Sequence, residues 1–128
     1  MNSETVRAGV DLLGRLLLIA IFAHDGWAML RNYNGALAYV RSFGLPDLAL
    51  VAAIAVQLGG AILIAVGWYV RLGAFFLAVF CLLTAVIFHT DFANRNEEIH
   101  FYKDLALAGG FLVLLAHGAG KWSLDRRV

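Results

Sequence analysis

Seven ionisable residues fall at the edges of long apolar runs, where an acid or a base is least expected. His24 and Asp25 stand side by side in FAHDGWAML, after the apolar stretch 16–23. His89 and Asp91 end a second apolar run, and His100, Lys103 and Asp104 open a third. Gln57 interrupts another from within. Histidine beside a carboxylate is suited to proton exchange, since imidazole titrates near neutral pH and a carboxylate can hold its tautomer. His24 or His89 would be the proton donor, Asp25 or Asp104 its orienting partner, and Lys103 an electrostatic clamp on a developing negative charge. Gln57, Trp27 and His100 are the residues that would hold a cofactor or substrate beside them. A second chemistry fits part of the same set. His24, His89 and His100 could ligate a transition metal, or two histidines on facing helices could hold a haem.

Such residues do chemistry only if the chain brings them together, so the elements that carry them matter. The protein has 128 residues, 62% of them hydrophobic and 15% charged, with a mean hydropathy of +0.79. A soluble domain has nearer half and a quarter. The excess apolar surface requires lipid as solvent. Four apolar blocks, roughly 10–30, 48–69, 72–90 and 101–118, approach the 17–25 residues a helix needs to cross the hydrocarbon layer. Backbone polar groups must be satisfied within the bilayer, so helices are expected. The fold class expected is an all-α membrane protein, a single domain of four transmembrane helices.

The segment 31–47 reads as a polar loop ending in the turn Gly44-Leu45-Pro46-Asp47, and Val70-Arg71 as a tight hairpin turn. Four spans place both termini on one side. That side collects Arg7, Arg71, Lys121, Arg126 and Arg127 in short segments, so the positive-inside rule puts both termini in the cytoplasm. Trp68, Tyr69 and Trp122 then mark the inner interface, and Trp27, Tyr33 and Tyr102 the outer one. With the first span entering near Val10, His24 lies roughly 21 Å along it, and Gln57 about 13 Å below the outer boundary of the second. His24, Asp25, His89, Asp91, His100, Lys103 and Asp104 are therefore expected to share one layer in the outer leaflet. Arg15, deep in the first block on the inner side, is expected to play a structural role, snorkelling to lipid phosphates or pairing with Asp11. Gly59-Gly60 and Gly109-Gly110 read as close-packing positions between helices, or as a seam between copies of the chain.

Several function classes are excluded. A formal charge of +1 without a basic tract argues against nucleic acid. Cys81 is a lone cysteine, which excludes an intramolecular disulfide and the dithiol chemistry of membrane enzymes that pass electrons between disulfides and quinones.

Five pieces, in order, resemble the DoxX family. They are LLGRLLLIAIFAHDGWAML, AYVRSFGLPD, QLGGAILIAVGWYVRLGAF, AVIFHTDFA and FYKDLALAGGFLVLLAHGAGKWSLDR. The resemblance covers nearly the whole chain. It implies a four-helix protein of the bacterial inner membrane, an oxidoreductase or a subunit of a redox or stress-response complex acting on a quinone or related small molecule at the periplasmic face. Partners would be the lipid bilayer, a redox subunit and further copies of the chain. Arg15, Gly26, Trp27, Pro46, Gly59, Gly60, Arg71, His89 and Lys103 match the family pattern. His24-Asp25, His100, Asp104 and Gln57 depart from it, the last standing where relatives commonly carry glutamate. An accessory role without catalysis, as a membrane anchor, remains the alternative to a redox function.

Overall fold

A computed structural model describes residues 3–89, 91 and 93–124. Five helices account for most of them: α1 (Ser3–Arg31), α2 (Tyr33–Ser42), α3 (Asp47–Val66), α4 (Val70–Phe88) and α5 (Arg95–His117). Among the described residues there is no strand. The helices α3, α4 and α5 are each long and apolar enough to cross a membrane. The 29-residue α1 is not among these, and it carries Glu4, Arg7, Asp11, Arg15, Asp25 and Arg31 along its length. α4 packs on both α3 and α5, and α1 lies against α3 with a lighter contact to α5.

Three boundaries differ from those expected of the sequence. The supposed loop 31–47 is largely helical, because Ala36, Leu37 and Val40 form an apolar stripe that packs on Leu50 and Ile54 of α3. The second hairpin turns at residues 67–69 rather than at Val70-Arg71. Gly67 takes the left-handed conformation (φ +77°) and both it and Trp68 donate to the carbonyl of Leu63, the usual way of terminating a helix at glycine. α5 begins six residues before the expected apolar boundary. The side chain of Asn94 caps it by accepting from the Asn96 amide, and Glu97 and Glu98 favour its positive end. Thr90, expected to close the third span, lies outside the described residues, as do Arg126 and Arg127.

Arg15 departs most from expectation. It does not reach lipid: its exposure is 2%. Its guanidinium donates to the carbonyls of Ala119 (2.7 Å) and Trp122 (3.0 Å), and more weakly to Ala65 (3.5 Å) near the end of α3. Residues after α5 thus fold back under the bundle, where the Leu124 amide also reaches the Val66 carbonyl (3.3 Å). The Ala65 carbonyl belongs to the last turn of α3, where carbonyls are unsatisfied and partially negative, and Ala119 and Trp122 lie beyond α5. A planar cation with several donors serves all three. This closes one end of the bundle. Arg71, at the same end, makes a long contact with the Ala116 carbonyl (3.5 Å).

The paired glycines split in function. A Cβ on Gly60 would lie 2.9 Å from Leu77, and one on Gly110 would lie 2.8 Å from Leu18, so both sit at helix contacts. Gly59 and Gly109 meet nothing within 4 Å. Above the closed end the core runs through Ile64, Leu77, Cys81 and Phe111, with Phe22 edge-on to Phe111 at 5.4 Å.

Replacing Arg15 by Met strands buried carbonyls at the closed end. The expected cost is on the order of 3 kcal/mol, read as a lowered unfolding midpoint in detergent. Arg15→Lys should recover only part of it, because one ammonium cannot reproduce the fork. An unchanged midpoint for Arg15→Met would refute this role.

Candidate functional site

At the opposite end, where α2 lies across the bundle, the helices enclose a cavity of about 870 Å³ to which all five contribute. That volume lies within the range of small-molecule and cofactor sites. Its walls are mainly aliphatic and aromatic, including Phe22, Val56, Phe80, Leu83 and Phe88. Five polar groups gather on one side, while Asp25, Asn32, Tyr39 and Gln57 line the cavity elsewhere. His100, Lys103 and Asp104 occupy consecutive turns of α5, and Thr84 and His89 stand at the end of α4.

Those groups form a connected chain. His89 Nδ1 is 2.8 Å from Glu97 Oε2, and its Nε2 is 3.7 Å from Asp104 Oδ2. The Thr84 hydroxyl lies 3.0 Å from that same Asp104 oxygen and 3.1 Å from the Cys81 carbonyl. A carboxylate accepts, so Nδ1 of His89 carries the proton shared with Glu97. This leaves Nε2 on the side of Asp104, too far for a hydrogen bond and available to another partner. The ring of His100 packs against that of His89, with centroids 5.2 Å apart and a 32° tilt. Two rings in such contact leave no room for a porphyrin between them.

Of the residues read from the sequence, Asp25, Gln57, His89, His100, Lys103 and Asp104 all line this cavity. His24, Trp27 and Asp91 do not: each is exposed, with His24 and Trp27 turned outward on α1. The proximity of His24 to Asp25 in sequence therefore separates them in space, as neighbours on a helix point about 100° apart. The three-histidine metal set does not assemble, since His24 stands away from His89 and His100. Among the described residues, no three His, Cys, Asp or Glu side chains gather to hold a metal ion.

Sequence reasoning missed Glu97, Thr84 and Tyr39. Glu97, His100 and Asp104 follow the i, i+3, i+7 spacing of one helical face, a signal hidden while α5 was taken to begin at residue 101. Tyr39 of α2 stacks on Phe88 (5.4 Å, 19°) and lines the cavity. Partial burial and the negative charge of Glu97 push its phenol above the ordinary value, which keeps it a hydrogen-bond donor.

Gln57 is 1% exposed. Its Nε2 donates to the Met29 thioether at 3.3 Å, and its Oε1 is sealed without a hydrogen-bond partner among the described residues. A thioether accepts but cannot donate, which orients the amide with its NH₂ toward sulfur.

Helices without strands among the described residues, three of them long and apolar enough to cross a membrane, define a multi-pass membrane protein, here with a cavity at one end. Comparison with known proteins agrees and narrows the class. The DoxX family model matches residues 10–90. The inner membrane protein YqjF of Escherichia coli K12 is 37% identical over 115 residues, covering 90% of this chain and 88% of the relative. The inner membrane protein YphA of the same organism is 35% identical over 123 residues, covering 91% and 88%. No solved structure matches. The chain belongs to the DoxX family and is a multi-pass protein of the bacterial inner membrane.

A buried acceptor without a partner costs about 1–3 kcal/mol. Gln57→Met, close in volume and free of that acceptor, should therefore raise the unfolding midpoint of the purified protein by a few degrees. A lowered midpoint would mean that the amide is satisfied and structural.

Proposed function

We propose that this DoxX-family protein binds a quinone or a related small oxidisable ring in the cavity, on the periplasmic side, and exchanges protons with it through His89. The observation that carries this reading is the pairing of a ligand-sized apolar cavity with the Glu97–His89–Asp104 chain on one wall. Two-electron reduction of a quinone takes up two protons at its carbonyl oxygens. His89, held at Nδ1 by Glu97, presents Nε2 as the group that gives or takes one of them. Asp104, 3.7 Å from that nitrogen, orients the imidazole, and Lys103 stabilises charge as it develops on the quinone oxygen. Electrons come from a redox partner subunit, of which this chain is the membrane component.

The reading includes the topology. α1 crosses as the fourth span and both termini are cytoplasmic, with Arg7, Arg71 and Lys121 at the closed end. The cavity then opens in the outer leaflet.

A benzoquinone lacking a side chain, added at about 100 times its Kd, should stabilise the detergent-purified protein by ~2.7 kcal/mol against unfolding. Reduction of the bound ring by dithionite should be about a hundredfold slower in His89→Ala, within the range of general-acid effects. No stabilisation of the parent protein, or an unchanged rate in the variant, would sink the proposal. For the topology, green fluorescent protein fused after Val128 should fluoresce and alkaline phosphatase fused there should be inactive. The reverse pattern would place the cavity in the inner leaflet.

A further inference from the structure

The cavity opens sideways between two helices. α3 and α4 are pressed together toward the closed end, where a Cβ on Gly60 would lie 2.9 Å from Leu77 and one on Gly73 would lie 3.3 Å from Ile64. Nearer α2, Ala52 of α3 and Phe76, Val79 and Leu83 of α4 all line the cavity. The same four residues are exposed at the protein surface, Phe76 by 49% and Leu83 by 54%. A residue that lines a cavity and also faces outward stands at its mouth. Both helices at this mouth are apolar enough to cross the membrane, so hydrocarbon lies outside it. Ile21, Asp25 and Ala28 of α1, and Asn32 and Tyr39 near and on α2, also line the cavity and are exposed. Those openings carry the polar side chains of Asp25, Asn32 and Tyr39, whereas the exposed lining between α3 and α4 is apolar.

From the structure we infer that the α3–α4 cleft holds the hydrocarbon tail of the ligand. The ligand is then an isoprenoid-tailed ring taken laterally from the bilayer. Its polar head lies at His89, Lys103 and Asp104, and its tail leaves between Ala52 and Leu83. This rests on the quinone reading above and specifies the ligand class within it. The polarity of the cavity supports the assignment, since His89, His100, Lys103 and Asp104 crowd the α4–α5 corner, while the exposed lining residues between α3 and α4 are apolar and the polar group that α3 contributes, Gln57, is buried. Alanine at position 52 leaves a groove opposite the large side chains of α4. From Phe76 to Thr84 the helix rises roughly 12 Å, which accommodates the first part of a tail. Moving a tail from lipid into this cleft exchanges one apolar medium for another, so selection must come from shape. Bulk at the mouth should therefore discriminate between tailed and tail-less rings.

The test uses the full chain in lipid nanodiscs with two probes, a benzoquinone bearing two isoprene units and the same ring without a tail. Ala52→Trp and, from the opposite wall, Val79→Trp should weaken binding of the tailed probe about tenfold, a typical cost of overpacking. Binding of the tail-less probe should stay within about twofold, which also shows that each variant is folded. A tailed probe carrying a diazirine should label the peptide containing Phe76, Val79 and Leu83. Equal effects on both probes, or labelling confined to α1 or α5, overturn the tail path while leaving the quinone reading standing. So does a phospholipid that occupies the cleft and is not displaced by the tailed probe. Failure of the parent protein to bind either probe overturns both.

Discussion

A guanidinium buried at one end of the bundle is the interaction on which the rest depends. In lipid no water is at hand to satisfy the carbonyls left open where helices end. Arg15 reaches one such carbonyl, that of Ala65 in the last turn of α3, and two more beyond the end of α5, at Ala119 and Trp122, drawing that segment under the end of α3. A cation so deeply buried is costly unless its donors are used, and here they bind chain segments remote in sequence. Cavity and closure are two halves of one arrangement. With one end tied, the helices can stand apart at the other and still keep a single fold.

The middle of the bundle sets where that separation begins. Gly60 lets Leu77 approach α3, and the aromatic pair Phe22 and Phe111 brings α1 to α5. Beyond these contacts the interior is no longer filled by side chains, and α2 lies over the space that results. Its hold there is partly aromatic, through Tyr39 and Phe43 against Phe88. The histidine at the end of α4 is then fixed by a carboxylate from the first turn of α5. The rigid framework and the reactive group are thus joined at the short connection between these two helices.

Much of this was legible in the residues. Apolar runs with sharp polar edges located the four long helices, and of the residues expected at one depth with Gln57 beneath them, Asp25, Gln57, His89, His100, Lys103 and Asp104 line one cavity. Depth alone does not decide azimuth, however. His24 and Trp27 share the level of the site but turn outward, and only packing against α3 and α5 distinguishes their direction from that of Asp25. Glu97 was hidden for the opposite reason: it lies in a helical extension whose composition is that of a loop, and Asn94 rather than hydropathy marks its start. α2 was missed because a ten-residue amphipathic helix carries too little apolar content to register as a span. Arg15 was read as a surface-seeking cation, since its carbonyl partners come from the far end of the chain.

The lengths of the helices carry one further consequence. α3 and α4, with 20 and 19 residues, measure roughly 30 Å, the thickness of the hydrocarbon core itself. α1, with 29 residues, measures about 43 Å and has length to spare for tilt or protrusion. The α3–α4 hairpin is therefore the element without slack, and it is also the one that frames the lateral mouth. Hydrophobic mismatch in a thicker or thinner bilayer would be absorbed by α1, while the mouth keeps its level relative to the acyl chains.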